Sequence, residues 1–228
     1  MPGKPEITGF KWVPPFAQGQ VRDIRCRWAF EELGIDYDVR LLELGEHKEA
    51  AHRMLQPFGQ VPTYTDGTVE IFESGAIVLH IARQKPGLLP TDPAGEASAT
   101  AWLFAALNSV EPLIFDYLFA TVFDRKEEYV KLFLPKAVER LGARLGDLAQ
   151  ALGEKQWLTG DAFTAGDLIM VSVLRQVRDT DFFAEHANLV GYVARGEARP
   201  AFRKALADHM AVFEGAEPPA WLTQGAKS

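Results

Sequence analysis

The sequence predicts an α/β domain of order βαβαββα followed by an all-helical domain. Short alternating runs around an Asp-Gly turn occupy the first ~85 residues. Lys85-Pro86-Gly87-Leu88-Leu89-Pro90-Thr91-Asp92-Pro93 holds three prolines and a glycine, so no central strand or helix should run through it. Beyond it the long segments carry apolar residues at helical spacing. The expected organisation is a first domain over 1–85, a linker over 86–95 and a helical domain over 96–228.

Ile7 to Val13 alternates apolar with small or polar residues and ends on two prolines, as a strand would. Gln20 to Leu33 is helical, with Val21, Ile24 and Trp28 on one face and Gly34 as its C-terminal stop. Tyr37 to Leu42 forms a second strand and His47 to Leu55 a short helix. Val61–Thr65 and Thr68–Phe72 flank Asp66-Gly67, a strong hairpin signal because both turn positions tolerate positive φ. A helix follows from Ser74 to Gln84. In the second domain, helices are expected over Glu96–Ala120, Arg125–Leu152, Thr164–Val177, Ala187–Ala194 and Pro200–Phe213, with kinks or local breaks at Pro112 and Pro135.

Composition narrows the function. The 228 residues are 47% hydrophobic and 24% charged, the balance of a folded globular chain. The 24 basic against 31 acidic residues leave a net charge of −7, which disfavours nucleic acid and anionic lipid as partners. Cys26 is the single cysteine, so an intrachain disulfide and a cysteine-based metal cluster are excluded. No run approaches the ~18 uninterrupted apolar residues of a membrane helix, and the N-terminal residues lack the apolar run of a signal peptide. A cytoplasmic protein without a metal is the expectation.

Two stretches can carry chemistry. In Gln56-Pro57-Phe58-Gly59-Gln60-Val61-Pro62-Thr63-Tyr64, a proline at the start of a strand leaves the backbone of Val61 free to pair with an extended peptide, and a cis Val61–Pro62 bond would make the turn rigid. In Ile71-Phe72-Glu73-Ser74-Gly75-Ala76-Ile77, Ser74 can cap a helix whose N–H groups suit a carboxylate, while Glu73 can accept from an ammonium group. Together they fit a small peptide with a free α-amino-acid end.

With these motifs the chain resembles the glutathione S-transferases along nearly its whole length. The Gly-Gln-Val-Pro turn, the Glu-Ser-Gly-Ala-Ile helix start, the proline-rich linker and Trp157-Leu158-Thr159-Gly160-Asp161-Ala162-Phe163-Thr164-Ala165-Gly166-Asp167 match in order, and Pro200-Ala201-Phe202 looks like the family's late-helix start. The resemblance implies a thioredoxin-like first domain that binds glutathione as co-substrate, a helical domain that meets a hydrophobic electrophile, and a homodimer. It further implies that Val61 pairs with the cysteinyl backbone beside a cis Pro62. Glu73 and Ser74 would hold the γ-glutamyl head, with Gln60 and Lys48, and His47 beside them, near the peptide backbone or glycyl end. Phe16, Phe115, Tyr117 and Phe119 are candidates for the electrophile pocket.

The family places a Tyr, Ser or Cys after the first strand, where it stabilises the glutathione thiolate. Here the loop Trp12-Val13-Pro14-Pro15-Phe16-Ala17-Gln18-Gly19-Gln20 has none of these. The substitutes are the side-chain amides of Gln18 or Gln20, the backbone N–H groups of Gln18–Val21 at a helix start, or the charge of Arg22 or Arg25. Cys26 lies within the helix and reads as a core thiol. The first expectation is therefore a transferase that drives thiolate attack on an electrophile. The alternative is a non-catalytic glutathione-binding or interaction module, and a thiol reductase is disfavoured for want of a first-loop cysteine. Thr164 and Asp167 read as a capping box that serves folding, His80, His186 and His209 as isolated, and His47 and His52, five apart near the candidate site, as surface histidines.

Overall fold

The computed structural model describes residues 3–224, and the side chains of all but the last two of these. Residues 1–2 and 225–228, which the expected domains and the N-terminal reading include, lie outside the described residues.

The chain forms two compact units: Met1–Gly87 together with Pro200–Ser228, and Leu88–Arg199. The first contains a four-stranded sheet of order β2-β1-β3-β4, built from β1 (Glu6–Phe10), β2 (Asp38–Leu42), β3 (Thr63–Thr65) and β4 (Glu70–Phe72). β1 runs parallel to β2 and antiparallel to β3, and β3 and β4 form the hairpin. Ile7, Thr8 and Gly9 are all buried, so both faces of the central strand are covered. α1 (Asp23–Leu33), α2 (Ala50–Leu55) and α3 (Ser74–Ala82) complete the expected βαβαββα order, a thioredoxin-like domain.

Local chemistry explains the ends of these elements. Gly34 closes α1 at φ 58°, ψ 47°, a left-handed conformation that costs glycine little. The hairpin loop is organised by the Asp66 carboxylate, whose Oδ1 accepts from Thr68 N, Val69 N and Thr68 Oγ1 at 2.9, 2.9 and 2.6 Å. α1 starts at Asp23 rather than Gln20, because residues 18–22 are spent on successive turns.

Two expected boundaries shift. The second-domain helix α4 (Pro93–Ala105) begins inside the expected linker: Asp92 Oδ1 accepts from Gly95 N at 2.8 Å, and Pro93 occupies a first-turn position that needs no donor. The C-terminal part of the expected 96–228 domain instead groups with the first unit. There α10 (Pro200–Ala211) packs on α1, with the Phe202 and Trp28 rings 4.8 Å apart and Phe202 and Ala205 buried.

In the second unit α4 runs through a widened π-type turn over Ala106–Val110 into α5 (Glu111–Leu118), and a second such turn covers Phe119–Phe123. Pro112 lacks the N–H that a regular helix would require there, so the break expected at this proline takes the form of the widened turn. By length and composition the continuous segment Pro93–Phe123 could cross a membrane. Ala99, Leu103, Ala106, Val110, Ile114 and Ala120 are buried along it, the pattern of a core helix. α6 (Val130–Leu152) keeps Pro135 in its interior and buries one stripe, Ala137, Leu141, Leu145, Leu148 and Leu152.

α7 (Ala165–Leu174) is buried all round and is the centre of this unit. It approaches α4 so closely that a Cβ on Gly166 would sit 2.7 Å from the Ala99 carbonyl oxygen. α8 (Asp181–Ala184), which the sequence reading did not anticipate, and α9 (Ala187–Glu197) complete the unit. α11 (Ala220–Gln224) follows α10.

Candidate functional site

Strand register brings the two informative motifs together. Thr63 faces Phe72 across the hairpin, so extending the ladder by one residue sets Pro62 opposite Glu73. On the other side of β3, Ile7 faces Tyr64, which sets Thr63 beside Thr8. Their hydroxyls lie 3.0 Å apart, and Thr8 Oγ1 accepts from Thr63 N at 2.8 Å. The start of β3, the end of β4 and the C-terminal end of β1 therefore meet at one end of the sheet.

At that end the Val61–Pro62 peptide is cis, as expected. Neither the N–H nor the carbonyl of Val61 has a hydrogen-bond partner among the described residues, though β3 begins two residues later. The residue before it is held tightly. Gln60 N donates to Gln56 Oε1 at 3.2 Å, and the Gln60 carbonyl lies 2.7 Å from His52 Nε2. His52 is 1% exposed, so the expectation that it is a surface histidine is corrected. A carbonyl can only accept, so Nε2 carries the proton and braces the turn that presents Val61. No local pattern in the sequence marks this contact, because the packing of α2 against the turn brings the Gln60 carbonyl to His52.

Across the hairpin end, Glu73 has φ 72°, the single positive φ outside glycine among the described residues. Such a conformation is costly for a side chain with a Cβ, and residues held in it concentrate at binding and active sites. Its carboxylate is exposed and does not cap the helix. The N–H groups of the first turn of α3 lack intrahelical partners, which leaves a region of partial positive charge beside this carboxylate. Ser74 is buried, and its Oγ accepts from Arg25 Nη1 at 3.1 Å. Arg25, proposed from sequence as a source of charge toward sulfur, is itself 2% exposed and ties α1 to the start of α3.

The glycyl-end candidates are less free. Lys48 Nζ donates to the Gly59 carbonyl at 2.9 Å. His47 accepts from Gly45 N through Nδ1 at 3.2 Å and stacks edge-on against Phe10. Burial, then the charge of Lys48, lowers the pKa of His47, which favours the neutral ring over a cation. The Gln60 side chain is exposed.

In the first loop, Gln18 Nε2 turns back to the Val13 carbonyl at 3.3 Å. The N–H groups of Gln18 and Gln20 donate to the Pro15 and Ala17 carbonyls. Val21 N has no acceptor among the described residues, so of the Gln18–Val21 stretch it is a backbone donor left available ahead of α1. Cys26 is fully buried, and burial pushes its thiol well above the ordinary range, which suits a core residue. Phe16 is 59% exposed in the same loop.

Of the remaining pocket candidates, all on the helical unit, Tyr117 meets Phe182 edge-on at 5.1 Å, and Phe115 and Phe119 lie 6.2 Å apart. No cluster of His, Cys, Asp and Glu that could hold a metal exists among the described residues. His209, read as isolated, lies 3.3 Å from the buried Asp23.

Comparison with known proteins supplies the family. The family model described as glutathione S-transferase, N-terminal domain, matches residues 17–83, and that described as glutathione S-transferase, C-terminal domain, matches 110–200. Glutathione S-transferase 1 of Zea mays is 32% identical over 65% of this chain and 72% of its own length. Glutathione S-transferase 4 of the same plant is 29% identical over 93% and 96%. Among solved structures, a theta class glutathione S-transferase from Xanthomonas axonopodis pv. citri with glutathione bound has a TM-score of 0.76 at 26% identity, covering 90% of this chain and 98% of that one. The order of strands, the cis turn, the strained helix start and these matches converge: the chain belongs to the glutathione S-transferase family.

Proposed function

We propose that the protein is a glutathione transferase, which binds glutathione at the end of the β3–β4 hairpin and presents its sulfur to a hydrophobic electrophile. The observation that carries the reading is the unpaired backbone of Val61 beside a cis proline, opposite the positive-φ Glu73. An extended peptide satisfies both polar groups of Val61, as an added strand would. Glu73 accepts from its α-ammonium group, and the start of α3 with Ser74 receives its α-carboxylate. Gln60 and Lys48 serve the glycyl end. The bound glutathione in the Xanthomonas relative supports this assignment.

The reaction is attack of the glutathione thiolate on an electrophilic carbon. The thiol proton passes to solvent, an S–C bond forms, and the leaving group departs or the acceptor takes a proton. Phe16, Phe115, Tyr117 and Phe119 are the proposed apolar contacts of the electrophile. Stabilisation of the thiolate comes from the start of α1, with Val21 N–H as donor and the helix dipole behind it. One hydrogen bond to an anionic sulfur contributes about 1.5–3 kcal/mol, or about one to two units of thiol pKa. A cytoplasmic, detoxifying homodimer is part of the same proposal, and exposed Met54 and Phe58 supply apolar surface for self-association.

The absence of Tyr, Ser, Thr and Cys from residues 12–20 favours a second reading, a binding module without catalysis. Titrating the ultraviolet absorbance of the thiolate with glutathione bound separates the two. A thiol pKa lowered by a unit or more supports the transferase. Tight binding with an unshifted thiol leaves the module, and absence of binding overturns both.

A further inference from the structure

The first unit contains a second cleft, which the proposed reaction does not use. It is an open depression of about 410 Å³ lined by the C-terminal end of α1, the start of β2, Lys4, and Lys204 and Asp208 of α10. Its lining includes Arg27, which is 4% exposed. The guanidinium spends its Nε on Asp23 Oδ2 at 2.8 Å, and its two Nη groups have no hydrogen bond among the described residues. A nearly buried guanidinium beside a cleft, with donors the fold does not use, can donate to a planar oxyanion.

The neighbours of Arg27 refine the ligand. Tyr37, stacked on Phe30 at 4.6 Å, also lines the cleft, and its hydroxyl has no partner among the described residues. Burial pushes that hydroxyl up to about 12, so it remains a donor throughout the physiological range. The other cations are already neutralised. Lys204 Nζ donates to Glu31 Oε1 at 2.9 Å and Asp208 Oδ2 at 2.6 Å, and Lys4 Nζ to Asp38 Oδ1 at 2.5 Å. Asp36, exposed on the rim, has no ion partner among the described residues. The cleft therefore offers unsatisfied donors inside and carboxylates outside. A free dianion would meet repulsion at that rim, whereas a zwitterion matches both ends.

We infer that this cleft is a binding site for a small zwitterion of amino-acid or dipeptide type, its carboxylate on Arg27 and Tyr37 and its ammonium group on the carboxylates of the rim. The inference is independent of what the Val61 crevice binds.

The test titrates glycylglycine into the 15N-labelled full-length protein, with the Val61 crevice first saturated by S-hexylglutathione, and follows backbone amide signals. Saturable shifts confined to residues 34–39 and 204–208 are expected. The uncharged N-acetylglycinamide should produce none, and acetate should bind more weakly than the dipeptide. Tyr37→Phe retains the ring stack and removes the donor, and should weaken binding about tenfold. Asp36→Asn should weaken the dipeptide but not acetate. Arg27→Met should abolish binding; because it also unpairs Asp23, its fold is checked by circular dichroism, and the two milder variants decide the matter if it unfolds. Absence of saturable shifts, equal shifts from N-acetylglycinamide, or unchanged affinity in both Tyr37→Phe and Asp36→Asn overturns the inference. If acetate binds as well as the dipeptide, the site recognises an oxyanion alone and the zwitterion assignment falls.

Discussion

Two helix starts in this chain pair an acid with a hydroxyl and use them in opposite ways. At α7, Asp167 is wholly buried and its carboxylate accepts from Leu158 N, Thr164 N, Thr164 Oγ1 and Tyr192 Oη at 2.8 to 2.9 Å. At α3, Glu73 sits at φ 72° with its carboxylate in solvent and capping nothing. The first satisfies its hydrogen bonds within the fold and so specifies the fold. The second holds Glu73 in an unfavourable conformation with its carboxylate in solvent, which suits a ligand. Residue type at a helix start does not separate the two uses; the hydrogen-bond accounting does.

The largest effect should come from breaking the satisfied start. Asp167→Ala leaves four buried donors without an acceptor and should cost about 3 kcal/mol or more of folding stability. A guanidinium chloride melt reads this directly, and a loss below about 1 kcal/mol would place Asp167 outside the folding role.

Glu73→Ala is the mirror experiment. Stability should stay within about 1 kcal/mol, because the lost contacts are with solvent. Glutathione affinity measured by calorimetry should fall tenfold or more, the scale of one charge-assisted contact. If stability falls and affinity does not, the contrast between the two helix starts is wrong.

Asp66 sharpens the comparison by pH. The Thr68 hydroxyl, then the backbone N–H groups of Thr68 and Val69, hold its carboxyl below the ordinary carboxylate range. A carboxyl whose folded pKa is depressed stabilises the fold above its unfolded value, near 4, and loses that contribution as pH falls through the folded value. Melting followed from neutral pH into acid should therefore decline more steeply in the native chain than in Asp66→Asn. Parallel curves would show that the hairpin loop does not depend on the charge.

The smallest effects belong to the first loop. Gln18→Ala and Gln20→Ala should each move the pKa of bound glutathione by less than about half a unit if the start of α1 is the activator. A rise of a full unit in either variant would return the role to that side chain.

Much of the fold was legible because it follows local rules. The Asp-Gly turn, Gly34, the Thr164–Asp167 box and the cis proline are decided by backbone conformations that few residues allow, and all four fall where the residues indicate. The short helix at Asp181–Ala184 and the widened turns around Pro112 were less legible, since one turn of helix has almost no period and a π-type turn is a response to neighbours. At the candidate site, the cis Val61–Pro62 bond and the helix start at Ser74 were readable from their motifs. His52 and Arg25, the residues that brace them, were not, because each acts on a group that register and helix packing bring near.

Local sequence thus settled the order of elements in the first domain, its turn types and the family, since these depend on backbone allowance, periodicity and ordered motifs. Tertiary packing alone decided that residues 200–211 join the first unit, that Glu73 adopts a positive φ, and that Arg27 keeps unused donors in a cleft closed by α10. Which polar groups remain unpaired is a balance summed over distant segments, and no single stretch of sequence contains it.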